Sequence, residues 1–544
     1  MLSDLQSSEA PQLRRRRLGV VHLVFFTVAA SAPLTVLAGG VTTSFAVSGN
    51  AGVPLAFLVL AVVLGLFAVG YGAMSRYVAN AGAFYSYLAR GMGRGAGVAG
   101  SFVALVSYNA IQIGLYGLFG ASAADFVAEL TGLLLPWWTW ALLALLVVGA
   151  LGLLRVDLNA RVLAVLLVIE VVVVVLYDIG AFSDPAEGAV TFAPLQPSTL
   201  IAPGIGAAIA FGIASFTGFE SGAIYSEETR NPGRTVARAT YIAVAFTGLF
   251  YALSSWAMVV QTGAGDLQNA ATEQGPGLVF GPLGERYGAI VADLATVLFL
   301  TSVFAALLSF HNGVARYLFA LGRERVLPSV LSRVGTRSGG PVAGSLTQSG
   351  VAVIVLLVFV LAGADPMLAL FTWFSGLSAV GVVLLMAATS ASVVGFFRSR
   401  TADASLWARM IAPGLASLML LGLLVVLVWN FDALLGSDPS SPLRWILPAV
   451  VLLAAVGGLA WAAYLRRARP LVYSGIGHSA LSPDEDEVPE RMPKVYVRGA
   501  EPEPETEAER TTQFTRPEDA TEQTAVFSRP ETDRETTTEF IRPE

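Results

Sequence analysis

From residue 20 to residue 465 the chain alternates long apolar runs with short polar joints, and the runs are 18 residues or longer. A helix of that length crosses a hydrocarbon core of roughly 30 Å. The runs fall at 20–47, 53–72, 96–130, 137–154, 161–182, 202–226, 235–260, 287–320, 342–363, 367–396, 409–432 and 443–465, predicting about twelve transmembrane helices. Barrel strands would instead alternate apolar and polar residues in segments of about ten, a pattern missing here. An all-α polytopic membrane protein is therefore predicted, with a transmembrane domain over 18–465.

The polar joints carry a direction. Arginines concentrate in alternate joints, at Arg14–Arg17, Arg76, Arg90, Arg94, Arg155, Arg230, Arg234, Arg316, Arg323, Arg325, Arg333, Arg337, Arg398, Arg400 and Arg466, Arg467 and Arg469. The intervening joints hold Asp184, Glu187, Asp266, Glu273, Asp365 and Asp438, with only Arg286 and Arg444 near span ends. Basic residues mark cytoplasmic loops, so an even number of spans with both termini cytoplasmic is predicted, in a plasma or bacterial inner membrane. Residues 1–17 read as a basic cytoplasmic leader into a retained first span rather than a cleaved signal peptide, because no small-residue cleavage site ends the apolar run.

Composition agrees. Hydrophobic residues make up 55% of the chain and charged residues 13%, with a mean hydropathy of +0.67, proportions that a water-exposed surface does not support. The chain has no cysteine, which removes disulfides, thiolate metal sites and a cysteine nucleophile. The net charge of −6 averages an arginine-bearing membrane region and an acidic tail, and neither resembles a nucleic-acid binder. With three histidines, and with neither a metal-ligand cluster nor a nucleophile elbow, the pattern argues against an enzyme.

Two spans read as interrupted, five spans apart. In FFTVAASAPLTVLAGG, Pro33 removes a backbone donor, and Ser31, Ala32 and Thr35 are its small or polar neighbours. In IAFGIASFTGFESGAIYSEET, Gly212, Gly218 and Gly222 surround Ser215, Phe216, Thr217 and Phe219. Irregular backbone at bilayer depth persists only where protein or a wet cavity satisfies it, and a matched pair of interrupted helices points to a transporter's substrate site. Freed amides at a half-helix start suit a carboxylate, and freed carbonyls at a half-helix end suit an ammonium or a sodium ion. The competing reading is a proline kink and glycine packing.

The run FTGFESGAIYSEETRNPGRTVARA resembles the sixth helix and following loop of the amino acid-polyamine-organocation permeases. Phe216, Gly218, Glu220, Glu227, Glu228, Asn231, Pro232 and Arg234 stand at the matching positions. RYVANAGAFYSYLARGMGRGAGVAG and ARYLFALGRERVLPSVLSRV add to the likeness, which covers about residues 18–465. The resemblance implies two inverted five-helix repeats plus two extra helices, substrate held between broken helices one and six, and alternating access, often with a proton or an exchanged substrate. Two departures stand out: the family's G-x-G break in helix one is here Ala30-Ser31-Ala32-Pro33-Leu34, and the lysine that some members carry in helix five is missing, since Lys494 is the chain's only lysine.

The ionisable residues inside spans are the candidate coupling groups. Glu170 lies near the centre of RVLAVLLVIEVVVVVLYDIG, where a charge costs roughly 2.5–3.5 kcal/mol to insert, so it needs a partner or a proton. It reads either as a proton carrier or as a hydrogen-bonded structural acid. Glu220, just beyond the second break, is a gating or coupling candidate, and Asp293 a third, with Thr301 and Ser302 nearby as sodium ligands or packing hydroxyls. Glu227 and Glu228 beside Arg230, Arg234 and Arg238 read as a salt-bridge network, and His311 as a packed histidine. Tyr108, Asn109 and Gln112 either line a cavity or hold helices together. Three carboxylates facing a cavity would favour a cationic or zwitterionic amine.

Residues 466–544 lose apolar periodicity and become rich in Glu, Thr, Pro and Asp, a disorder signature. TTQFTRPE, TAVFSRPE and TTEFIRPE repeat at a period of 13 and set Thr511, Thr524 and Thr537 three residues before a phenylalanine. Phosphorylated by a Ser/Thr kinase, these would resemble ligands of forkhead-associated domains; otherwise the tail is low-complexity acidic chain. The expected activity is proton-coupled import of amino acids or amines, without a cofactor and with sodium as the lesser alternative. An exchanger of the same fold, or a substrate-binding sensor signalling through its tail, remains open.

Overall fold

The computed structural model describes residues 19–78, 84–153, 157–220, 229, 232–335, 338–398, 404–435 and 441–477. The expectations for Gly222, Glu227, Glu228, Arg230, Asn231, Thr511, Thr524 and Thr537 lie outside the described residues.

The chain begins with α1 (Val20–Ser31), then a π-helical segment (Thr35–Val41) that runs into α2 (Thr42–Ser48). Next come α3 (Val53–Met74), α4 (Phe84–Gly91), α5 (Arg94–Thr131), α6 (Trp137–Leu153), α7 (Asp157–Ser183) and α8 (Ile205–Phe216). They are followed by α9 (Pro232–Thr262), α10 (Leu267–Gln274), α11 (Gly277–Tyr287), α12 (Ala289–Arg323) and α13 (Val342–Leu361). A second π-helical segment, Pro366–Thr372, leads into α14 (Trp373–Arg398), and a third, Trp407–Ile411, into α15 (Ala412–Trp429). Helices α16 (Leu443–Ala468) and α17 (Pro470–Gly475) complete the series.

Among the described residues, nine helices are long and apolar enough to cross a membrane, and three shorter apolar helices, Thr35–Ser48, Trp137–Leu153 and Ile205–Phe216, coincide with other expected runs. Two of these belong to the spans read as interrupted. The short α4, α10 and α11 lie in joints that the hydropathy pattern left as connections, because their amphipathic or polar sequences give no apolar run, and α17 lies at the start of the 466–544 region that was read as a disordered tail.

Burial separates a centre from a rim. About 72% of the most apolar window is buried in α5 and in Pro366–Arg398, but only 22–28% in α13, α15 and α16. Rim residues such as Leu418, Leu453 and Val358 turn outward, the arrangement a helix needs where lipid rather than water is its solvent. The central helices approach closely through small residues: a Cβ on Gly91 would lie 2.0 Å from the Ser392 carbonyl oxygen, so α4 meets α14 backbone to backbone. Polar pairs join other helices. His311 Nε2 lies 2.7 Å from Ser345 Oγ between α12 and α13. The Gln348 amide donates to Gln112 Oε1 between α13 and α5.

Candidate functional site

Helix α1 stops because Pro33 has no amide to donate to the Ala29 carbonyl one turn back. Ala32 turns to a left-handed φ of 42°, and the chain restarts as the segment Thr35–Val41. The polar groups around the break are met from three other helices. Tyr251 Oη of α9 donates to the Ser31 carbonyl at 3.0 Å. The Thr35 amide donates to Ser302 Oγ of α12 at 3.4 Å, and Ser302 Oγ in turn donates to Glu170 Oε2 of α7 at 2.7 Å. Glu170, 3% exposed, therefore sits behind the first break and meets it through the Ser302 hydroxyl and the Leu34 backbone amide.

Helix α8 ends at Phe216, where Thr217 turns extended (φ −57°, ψ 126°) and Gly218 takes a φ of 115° that only glycine adopts without strain. The Gly218 amide donates to Glu220 Oε2 at 3.0 Å, and Tyr108 Oη donates to Glu220 Oε1 at 2.6 Å. Tyr71 Oη donates to the Glu220 backbone carbonyl at 3.2 Å. Both carboxyl oxygens of Glu220 are thus engaged, and the residue fastens the second break to α5 and α3.

A pocket lies where the two breaks meet. Ser31, Ala32, Thr35, Val36 and Gly40 come from helix one, and Phe211, Ala214, Ser215 and Thr217 from α8 and its exit. The remaining wall is Ile111 and Leu115 of α5, Ala306 and Phe310 of α12, Phe371 and Ser375. The lining is mostly apolar with a few placed polar groups, the composition usual for small-molecule sites. No charged side chain is among these lining residues.

Of the residues selected from sequence, Ser31, Ala32, Thr35 and Thr217 are in the wall. Pro33 makes the break without lining the space, and Gly218 and Phe219 lie past it, Phe219 packed against Phe67 with ring centroids 5.8 Å apart. Phe216 faces away, toward Phe57 and Tyr251. Asn109 donates to the Leu105 carbonyl of its own helix at 2.7 Å, and Gln112 bridges to Gln348, so this pair joins backbone and helices rather than lining the cavity.

The three carboxylates are not in the wall either. Glu170 and Glu220 are buried behind the two breaks, while Asp293 is exposed on the outside of α12. The anionic cavity expected if all three faced inward is corrected to one of hydroxyls, carbonyls and apolar surface. Ser215, named at the second break, also lines the space, whereas sequence reading missed Val36, Gly40, Ile111, Leu115, Phe211, Ala214, Ala306, Phe310, Phe371 and Ser375. Ile111 and Leu115, one turn apart beside Gln112, were open to recognition by helical spacing, but hydropathy does not separate a cavity-facing leucine from a lipid-facing one.

Over 342 residues the chain is 27% identical to the branched-chain amino acid permease BcaP of Lactococcus lactis subsp. cremoris, covering 60% of this chain and 71% of the relative. It is 27% identical over 416 residues to an uncharacterized transporter of Mycobacterium tuberculosis, covering 72% and 83%. A third relative is the low-affinity putrescine importer PlaP of Escherichia coli, 24% identical over 321 residues, covering 58% and 68%. Residues 22–472 match the amino acid permease family, and with that match spanning most of its length the chain belongs to that family of membrane transporters.

Proposed function

We propose that the chain is a secondary active transporter that moves a neutral α-amino acid with an apolar side chain across the plasma membrane by alternating access, coupled to a proton. Twelve spans, as two inverted five-helix repeats plus two helices, would place both termini in the cytoplasm. The observation that carries the substrate reading is the cavity wall, which offers hydroxyls and backbone ends for a zwitterion but no charged side chain. The C-terminal ends of α1 and α8 present carbonyls and the negative ends of their dipoles to an ammonium. Thr35 Oγ1, buried in the wall with no hydrogen-bond partner among the described residues, is placed to donate to a carboxylate. Phe211, Phe310, Phe371, Ile111 and Leu115 then enclose the side chain.

An amine reading draws on the likeness to the putrescine importer. A dication would need a compensating carboxylate at each end, and the lining residues supply none. Glu170 is the proposed proton carrier because it touches the first break through Ser302 and has no basic partner among its hydrogen bonds. Purified protein in liposomes, screened with labelled leucine, isoleucine, phenylalanine, alanine and putrescine with and without an inward proton gradient, tests the reading. Gradient-driven accumulation of the neutral amino acids and not of putrescine is expected. Uptake that ignores the gradient but requires internal substrate would identify an exchanger, and binding without flux a sensor.

A further inference from the structure

Helix α7 carries a second buried acid. Asp178 is 5% exposed and lies eight residues beyond Glu170, about 12 Å along the axis at 1.5 Å per residue. It shares the inward stripe with Glu170, Val174 and Ala181, whereas Val172, Val175 and Ile179 turn outward. Its Oδ2 accepts Ser254 Oγ of α9 at 2.9 Å. Its Oδ1 is buried and has no donor among the described residues. A bare carboxylate oxygen in such a place loses its hydration without replacement, whereas a neutral carboxyl fills the same space at far lower cost.

Among the described residues no cation pairs with Asp178. Helix α7 packs against α1, α9, α11 and α12. From α11, Arg286 donates to the Gly180 carbonyl at 2.5 Å and pairs with Asp184 at 3.1 Å, and Tyr287 donates to the Leu176 carbonyl at 3.2 Å. From α9 come Ser254 and Tyr251, the latter already bonded to Ser31 at the first break. Helix α1 carries only His22, in its first turn, and Asp293 of α12 is exposed. Tyr177, on α7 itself, is buried, and its hydroxyl has no partner among the described residues.

We infer that Asp178 is a proton-binding residue that loads from the end of α7 nearest Ser183 and supplies Glu170. It lies five residues before the helix end, about 8 Å from it, so the route to bulk water is short. The α9 hydroxyls span the interval, Ser254 on Asp178 and Tyr251 on the break that Glu170 reaches through Ser302. One proton leaves external water for Asp178, then passes to Glu170 through these hydroxyls and water. Charge is conserved at each transfer, and nothing is oxidised or reduced.

This inference rests on the proton-coupled reading above, and the experiment separates the two. Wild type, Asp178→Asn, Asp178→Glu, Glu170→Gln and Ser254→Ala are reconstituted, and both gradient-driven accumulation and gradient-free exchange of labelled leucine are measured against external pH. Asp178→Asn is expected to lose accumulation by about tenfold or more while exchange stays near wild type, and Asp178→Glu to restore part of it. Ser254→Ala, which keeps the acid but removes its hydrogen bond, is expected to displace the pH profile, and it carries the test if Asp178→Asn does not fold. Wild-type uptake indifferent to the gradient would overturn the coupled reading itself. Gradient-driven wild type, inactive Glu170→Gln, and Asp178→Asn and Ser254→Ala with wild-type profiles would overturn the assignment of Asp178 alone.

Discussion

Ser302 Oγ donates to the Glu170 carboxyl at 2.7 Å while accepting the Thr35 amide at 3.4 Å, so the buried acid of α7 and the restart of helix one share a single atom. Removing it leaves two buried groups one partner short, and each orphaned group costs about 1–3 kcal/mol. Ser302→Ala is therefore expected to lower the melting temperature in detergent and to raise the KM for leucine, because Thr35 lines the cavity. An unchanged KM would separate the hydroxyl from the substrate site.

Glu220 holds the second break through Tyr108 and the Gly218 amide. Tyr108→Phe removes one donor to a buried carboxyl and is expected to destabilise by about 1.5–3 kcal/mol. Glu220→Ala, which frees both Tyr108 and Gly218, should cost more. Equal melting temperatures for the two variants would contradict this.

Cavity size is tested at Gly40. An added Cβ there would lie 3.5 Å from Ser215 Oγ, an ordinary contact, so Gly40→Ala should fold while narrowing the wall. The expected result is a kcat/KM for leucine and isoleucine lowered by about tenfold, with alanine uptake little affected, since one methyl group is worth about 1–3 kcal/mol in a fitted pocket. Competition assays with the three amino acids read this directly.

Packing between rim and centre is tested by two glycines. A Cβ on Gly344 would meet the Ala315 carbonyl oxygen at 2.4 Å, forcing α13 from α12, whereas Gly457 has nothing within 4 Å. Gly344→Ala should destabilise by about 1–3 kcal/mol. Gly457→Ala should be neutral or stabilising by up to about 1 kcal/mol through helix propensity. Thermal unfolding of both variants checks the contrast.

At the start of the C-terminal region, the Gly477 amide donates to Glu324 Oε2 at 2.8 Å and its carbonyl accepts Arg90 Nε at 3.0 Å. Tyr85 Oη also donates to Glu324. Burial first, then the Glu324 carboxylate, raises the Tyr85 phenol well above its ordinary value of 10.0. Because the folded value exceeds the unfolded one, this contribution to stability is complete below about pH 10 and is lost as pH rises above it. Melting temperature is expected to fall above about pH 10, less steeply in Tyr85→Phe. Identical slopes would assign the fall to other groups.

Much of this was readable in advance. The runs of apolar residues located the helices to within a few residues, because hydrocarbon leaves a backbone no other partner. Pro33 and Gly218 marked both breaks by their own chemistry, one lacking a donor and the other permitting a φ of 115°. What escaped was facing. Asn109 and Gln112 drew notice as polar residues, yet Asn109 bonds back to its own helix and Gln112 ties α5 to α13, while Ile111 and Leu115 between and beside them meet the cavity. Asp293 and Asp178 stand near opposite ends of their helices in similar apolar runs, and only tertiary packing turned the first outward and buried the second.

The claim that substrate occupies the junction of the two breaks is tested most directly by electron cryo-microscopy of the protein in lipid nanodiscs, with and without saturating leucine. Leucine density is expected between the Ser31–Thr35 break and Thr217, with its side chain toward Phe211, Phe310 and Phe371. Leucine bound elsewhere while this cavity stays empty would contradict it.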